Sequence, residues 1–243
     1  MTGKRKIVLA TILAFSGSLA AHAADQTILG NQLQVKNPST ADKRKVVVKA
    51  KEKLSPNTIV GNPTVSGASL SVAVGGGTPS AQVFPLPQGV SGITGKPFWS
   101  GDAVKGFKYK DSKGENGPVK SAQIKKTSSG NFSIKAVISG KLGTILVLPP
   151  NPGTNGCAAL ILTGGDSYSV AFLAGDGLVT NKGAQLYKHK KVTLQGTCVV
   201  APPTTTTSTT STPTTGAPTT TTSTTLYGSP SRAFIDRVLG LLD

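Results

Sequence analysis

The amino-acid sequence is dominated by short runs in which apolar and polar residues alternate with a period of two. The clearest run is 131–138, and three others, 45–53, 106–111 and 167–174, repeat the pattern. Because successive side chains of a strand point to opposite faces of a sheet, this period indicates half-buried antiparallel strands. The residues predicted to face the core are Phe107, Tyr109, Phe132, Ile134, Ile138, Tyr168, Val170 and Phe172.

Clusters of Gly, Pro, Asn and Ser separate these runs and predict turns. The predicted hairpins pair 119–126 with 131–139 and 158–163 with 167–173. No helical pattern of useful length occurs before residue 229, so we expect an all-β body at 24–200. It would be one antiparallel β-sandwich or two small apposed β-domains, with a soft boundary at 85–97, where the alternation lapses.

The first 23 residues have the organisation of a secretory signal peptide. Residues 4–6 are basic, a mostly apolar stretch follows, and residues 21–23 read Ala-His-Ala, an A-x-A cleavage site. We expect cleavage that leaves Ala24 as the first residue. A membrane anchor is the alternative, but the apolar run is too short to span a bilayer comfortably. We therefore expect no transmembrane span after signal removal and a secreted location: extracellular, cell-surface or periplasmic.

The C-terminal part of the chain changes character abruptly. Fifteen of the 22 residues in 204–225 are Thr, and none is charged or bulky. Such a segment cannot bury enough apolar surface to become ordered, so 201–225 is predicted to be a disordered Thr/Pro-rich linker of a type that is often O-glycosylated. The tail at 226–243 is predicted to form a short amphipathic helix that docks on a protein partner; a frayed end, docking on the protein's own body and a membrane-surface helix are the alternatives. The docking residues would be Phe234, Ile235, Val238, Leu239 and Leu242.

Cys157 and Cys198 are the two cysteines of the chain. In an oxidising compartment an even pair most simply forms one disulfide. Closing a loop of about 40 residues is worth about 4 kcal/mol in the chain-entropy model. A reactive or metal-binding pair is less favoured, because there is no CxxC spacing and no acidic residue nearby.

The body is strongly basic, with 20 Lys, one Arg and eight acidic residues in 24–200 and hence a net charge of +13. A field of that size attracts anions. Proteins that read bases or phosphates favour Arg and aromatic platforms, and both are scarce here, so sequence-specific nucleic-acid binding is not expected. The expected partner is an anionic polysaccharide or surface polymer. The lysines assigned to this weak polyanion site are Lys45, Lys49, Lys51, Lys53, Lys108, Lys110, Lys188, Lys190 and Lys191.

From the sequence alone, a second role for these lysines is favoured over binding. Lysines on the edge strands of β-proteins prevent edge-to-edge aggregation. Both interpretations agree on a function in binding or structure rather than in catalysis.

His189 is the one histidine after the predicted signal, and it lies within the lysine-rich segment 187–191. No acidic residue is near in sequence to orient it, and no GxSxG motif is present, so Ser–His–Asp chemistry is not expected. We expect a neutral, exposed strand residue. The protein is accordingly predicted to be non-enzymatic, with no catalytic residue and no cofactor.

Two carboxylates would suffice for the alternative function, a secreted polysaccharide hydrolase. No pair stands out, since Asp166 and Asp176 lie in Gly-flanked turns where Asp commonly binds its own backbone. The loop 111–117 superficially resembles a calcium loop, but its third residue is Lys and its sixth is Asn. We expect a polar turn there, and no metal site.

A run of aromatic, glycine and lysine residues extends from Trp99 to Lys125. It reads WSG at 99–101, KGFKYKD at 105–111, GPVK at 117–120 and IK at 124–125. With KVVV at 45–48 and the Thr-rich tract, it resembles a segment of uncharacterised secreted Lys-rich β proteins of environmental bacteria that carry Thr-rich stalks. The resemblance covers about residues 28–200. It implies an exported β-rich body and no known activity.

Overall fold

A computed structural model describes residues 23–198. The predicted docking helix, the predicted linker and all but the last residue of the predicted signal peptide lie outside these residues. The described part is mostly β, with thirteen strands, a one-turn helix α1 (Pro63–Ser66) and two short 3₁₀ turns, Ala41–Lys43 and Gly140–Leu142. No helix within 23–198 is long and apolar enough to cross a membrane.

The strands form two sheets. In chain order they are β1 (Asp25–Thr27), β2 (Gly30–Lys36), β3 (Lys45–Glu52), β4 (Ala68–Gly76), β5 (Ser80–Leu86), β6 (Trp99–Asp102), β7 (Gly106–Lys110), β8 (Val119–Lys126), β9 (Phe132–Ser139), β10 (Gly153–Leu162), β11 (Ser167–Phe172), β12 (Leu178–Lys182) and β13 (Leu186–Lys190). One sheet has five strands in the order β1-β11-β10-β4-β5. The other has eight strands in the order β12-β13-β2-β3-β9-β8-β7-β6, and all its pairs are antiparallel.

The alternation seen in the sequence separates core from solvent on most strands. On β9, for example, Phe132, Ile134 and Ile138 are buried, whereas Lys135 is exposed. Buried side chains of both sheets join one hydrophobic cluster, and each large apolar side chain there contributes about 1.5–3 kcal/mol. All eight residues predicted to face the core are buried.

The all-β prediction is confirmed as a mostly β body with two sheets, and both predicted hairpins are present, as β8–β9 and β10–β11. One pairing departs from the antiparallel expectation, because β1 lies parallel to β11. The lapse of alternation at 85–97 falls where the chain passes from β5 of one sheet to β6 of the other. Both sheets bury their side chains in the same cluster.

The predicted disulfide is confirmed. Cys157 lies on β10, the central strand of the five-stranded sheet, and bonds to Cys198 with a Cα–Cα distance of 5.3 Å. The bond attaches the end of the described chain to the middle of that sheet.

Candidate functional site

The solvent-facing side of the eight-stranded sheet carries a continuous set of lysines. Residues directly opposite each other in paired strands lie on the same face, so the strand register decides which side chains share it. The lysines on this side, called the lysine face below, are Lys36, Lys45, Lys49, Lys51, Lys108, Lys110, Lys125, Lys135, Lys182, Lys188 and Lys190.

Core formation fixes the outward direction of these lysines. On β3, Val46, Val48 and Ala50 belong to the core, so Val47 and the half-buried Lys49 lie on the opposite side of the sheet. On β13, Tyr187 and His189 are buried and their neighbours point outward in the same way. The lysine face therefore rests on rigid strands rather than on loops.

One line of register partners crosses six strands of this sheet. From β13 to β7 this central row reads Lys190, Gln32, Lys49, Lys135, Gln123 and Lys108. Neighbouring strands lie about 4.8 Å apart, so the row spans about 24 Å. Its lysines follow one another at intervals of about 10, 5 and 10 Å, with a glutamine in each wide gap.

No carboxylate of the described strands is a direct cross-strand partner of these lysines. Within the described strands, the register partners of the lysine face are Lys, Gln, Ser, Thr, Leu or Gly, and none is Asp or Glu. The positive charges are therefore not cancelled by cross-strand ion pairs. Like charges placed this way repel each other and destabilise the sheet in the absence of a ligand.

The pKa of Lys188 is consistent with this repulsion. It is lowered, first by the charge of Lys190, then by partial desolvation, and further by the charges of Lys36 and Lys49. These lysines come from β13, β2 and β3, so their fields overlap across three strands. An anion bound there would relieve the repulsion.

Seven of the nine lysines predicted from the sequence belong to the lysine face; Lys53 and Lys191 follow the ends of β3 and β13 instead. None of the nine lies on β1, β5, β6 or β12, the strands at the sheet edges. Within the lysine face, Lys182 on β12 is the one member on an edge strand, so protection of the edges accounts for few of these charges.

Four members of the lysine face were not in the predicted set: Lys36, Lys125, Lys135 and Lys182. Lys135 lies in the alternating run 131–138, so its outward direction could be predicted. Lys36 and Lys182 lie at strand ends and join the face only through the pairing of β2, β12 and β13, which the sequence does not reveal.

A concave site adjoins each end of the lysine face. At one end is a groove of about 340 Å³ lined by Lys36, Pro38, Lys43, Lys182, Gln185 and Leu186. At the other is a cleft of about 380 Å³, whose lining includes Lys96, Phe98, Ser100, Lys108, Lys110, Lys113 and Glu115. Ser100 is the register partner of Lys108, so the central row runs into this cleft.

Asp111 and Glu115 are the carboxylates that line the cleft. The buried Asp111 accepts hydrogen bonds from four backbone N–H groups of residues 113–116, at 2.7 to 3.3 Å. Glu115 accepts from the Ser91 hydroxyl and from the N–H of Gly92, at 2.8 Å for the latter. Both carboxylates thus hold loops in place, and 111–117 is the polar turn that its sequence predicts.

Asp166 and Asp176 do not bind the backbone of their own turns, so that expectation is wrong. Each is buried and accepts hydrogen bonds from a distant segment: Asp166 from the N–H of Val60 at 2.7 Å, and Asp176 from the N–H of Leu194 at 2.9 Å. A carboxylate in a tight turn is well placed to join two parts of the chain when neighbouring strands bring N–H donors to it.

His189 is fully buried, which corrects the expectation of an exposed residue. Its side chain alternates with those of Lys188 and Lys190 and so points into the core, where its ring centre lies 5.6 Å from that of Phe172. Its Nε2 donates to the carbonyl oxygen of Asp176, and its Nδ1 lies 3.1 Å from the hydroxyl of Tyr187. Because a carbonyl oxygen can only accept, these partners place the proton on Nε2.

The pKa of Asp176 is lowered, chiefly by the N–H of Leu194, with the hydroxyl and N–H of Thr193 acting in the same direction against desolvation. A lowered pKa in the folded state stabilises the fold above the unfolded value of about 3.9, and this contribution is lost as pH falls through the folded pKa. We therefore expect Asp176→Asn to lower the urea midpoint at pH 7, and this deficit to shrink below about pH 4.

Urea titrations from neutral pH to about pH 2 measure this deficit, and Asp42→Asn, the same change at an exposed residue, is the matched control. A deficit that stays constant with pH would contradict the assigned role of Asp176.

Within residues 23–198, no group of three or more His, Cys, Asp or Glu side chains is arranged to hold a metal ion. Comparison of the chain with protein-family models, with curated proteins and with solved structures gives no match. The lysine face and its two adjoining concave sites are therefore the features from which a function is inferred.

Proposed function

We propose that this chain is an exported, non-enzymatic binding module whose two sheets form a β-sandwich and whose lysine face holds an extended anionic polysaccharide. The central row is the observation that carries this proposal. It offers four lysines on six adjacent strands, in the middle of a sheet and without carboxylate partners in register.

The length of the row favours a polymer over a small anion. A small anion needs a few donors converging on one point, whereas these charges extend along about 24 Å of open surface. Gln32 and Gln123 occupy the two intervals of about 10 Å between lysines and offer both donors and acceptors to the hydroxyl groups of a sugar chain.

The side chains around the row favour a polysaccharide over a nucleic acid. All nine aromatic residues of the described chain are buried, so none is free to stack on a base. The cations of the face are all Lys, which acts as a hydrated point charge and lacks the planar fork of Arg. Such a surface selects for charge spacing rather than for base identity.

The hydrolase alternative has weaker support. Its two carboxylates would have to be Asp111 and Glu115 if the cleft were the active site, and the oxygens of both already accept hydrogen bonds from loop donors. A general acid or a nucleophile needs a carboxyl group that faces the substrate.

Export is part of the proposal, supported by the A-x-A sequence at 21–23 and by the disulfide. We further propose that the Thr-rich linker and the tail helix connect the binding body to a protein partner.

Retention of the full-length protein on three immobilised matrices tests the proposal: polygalacturonate, dextran sulfate and neutral dextran. We expect retention on both anionic matrices at about 50 mM salt and progressive release towards about 500 mM, because screening shortens the reach of each charge. No retention is expected on neutral dextran. Equal retention on all three matrices, or none on the anionic ones at low salt, would refute the proposal.

A further inference from the structure

The carboxylate of Asp166 lies fully buried at the turn between β10 and β11. Its Oδ2 accepts from the N–H of Val60 at 2.7 Å and from the hydroxyl of Tyr168 at 3.1 Å, with the Thr58 hydroxyl at 3.5 Å. Its Oδ1 accepts from the backbone nitrogen of Ala24 at 2.9 Å. Every donor in this set is neutral while residue 24 is joined to residue 23.

The position of the Ala24 nitrogen is fixed by the surrounding backbone. The carbonyl oxygen of Ala24 accepts from the N–H of Ser167 at 2.9 Å, and β1, which begins at Asp25, continues this pairing along β11. The turn is equally constrained, since a Cβ at Gly165 would overlap the carbonyl oxygen of Val60. The nitrogen and the carboxylate therefore meet through two well-defined segments.

A buried carboxylate that has only neutral donors is costly to desolvate. Two titratable groups lie beside it: Tyr168, whose pKa is raised by burial and by the charge of Asp166, and Asp25, whose carboxylate accepts from the Ser167 hydroxyl. Neither of them supplies a positive charge at neutral pH. A cation at the position of the Ala24 nitrogen would be the charge that this site lacks.

We propose that cleavage of the Ala23–Ala24 peptide bond creates an ion pair between the new α-ammonium of Ala24 and the carboxylate of Asp166, and that this pair stabilises the mature body. In the cleavage, catalysed by a peptidase that cuts after Ala-X-Ala, water adds across the peptide bond. Ala23 leaves with a carboxylate, and Ala24 keeps an amine that takes up a proton. The nitrogen stays in place and changes from a neutral donor to a charged one.

The pair couples processing to stability with a defined pH dependence. A carboxylate partner raises the pKa of an α-ammonium above its unfolded value of about 7.7–8.0. The stabilisation is therefore fully present below that value and is lost as pH rises through the higher folded pKa. The uncleaved precursor has no such contribution.

The test compares two forms of the full chain from Ala24 to Asp243, one with a free amine and one with an Nα-acetyl group. Acetylation keeps the N–H donor and removes only the charge. At pH 6 we expect the acetylated form to melt about 3–6 °C lower, and the difference to disappear above about pH 10. Equal melting temperatures at pH 6, or a difference that does not change with pH, would overturn the proposal.

Two further measurements make the result specific. In the Asp166→Asn background, the free-amine and acetylated forms should have the same melting temperature. A remaining difference would mean that another group interacts with the α-ammonium. If this variant does not fold, the pH dependence of the difference between the two wild-type forms tests the proposal. Mass spectrometry of the exported protein should find Ala24 as the first residue, and a different first residue would refute the cleavage step.

Discussion

Replacing Lys49, Lys135 and Lys190 together with Gln is expected to weaken binding to polygalacturonate by about 100-fold at low salt. A basic residue close to an anionic surface contributes about 1 kcal/mol, so three of them contribute about 3 kcal/mol, where 1.4 kcal/mol is a factor of ten. We expect the sheet to tolerate Gln at these positions, because Gln32 and Gln123 already occupy the same row. Binding isotherms of the full-length variant, measured at several salt concentrations, give both the affinity and its salt dependence.

The matched control replaces Lys53, Lys105 and Lys141 with Gln. These three lysines are exposed and lie off the lysine face, so the variant loses the same net charge at other positions. We expect it to bind within a factor of a few of the wild type, while the salt dependence falls mainly in the central-row variant. Equal weakening in both variants would mean that net charge, rather than the arrangement on the sheet, accounts for binding.

Removal of the disulfide is expected to have the largest effect on stability. Cys157→Ser combined with Cys198→Ser should lower the free energy of unfolding by about 4 kcal/mol, given the 41-residue separation of the two cysteines. For a body of this size, that loss corresponds to a melting temperature roughly 8–16 °C lower. Thermal and urea unfolding of the oxidised wild type and of the double variant measure it.

The segment after β13 should be the first to detach in the double variant. It is held by the disulfide, by burial of Val192 and by the hydrogen bonds from Thr193 and Leu194 to Asp176. Limited proteolysis should therefore cut near the end of the body before the global transition. A loss below about 1 kcal/mol, with no new cleavage site, would show that the remaining contacts suffice.

The alternation of side chains predicted the core and both hairpins because it depends only on local sequence. It could not predict β1, whose three residues, Asp-Gln-Thr, show no apolar alternation and pair with a strand 142 residues away. That pairing depends on the tertiary contacts of Ala24 and Asp25. The order of the strands in each sheet was unpredictable for the same reason.

The candidate site likewise has one part that local sequence predicts and another that depends on tertiary structure. Alternation indicated that Lys45, Lys49 and Lys51 share one side of β3, but the central row appears only when six strands are placed in register. His189 was mistaken for an exposed residue because its neighbours in sequence are lysines, whereas its neighbours in space are Phe172, Tyr187 and the backbone of Asp176. Sequence proximity was the wrong guide for a buried polar residue.

The disulfide from Cys198 to β10 lies on a different sheet from the lysine face. Alternation on β10 places Ala158 and Leu160 in the core, so the neighbouring Cys157 points to the outer side of the five-stranded sheet. The lysine face is the solvent-facing side of the other sheet. In the proposed sandwich these two outer sides are opposite, so a body anchored through the residues after 198 would present its lysine face away from the support.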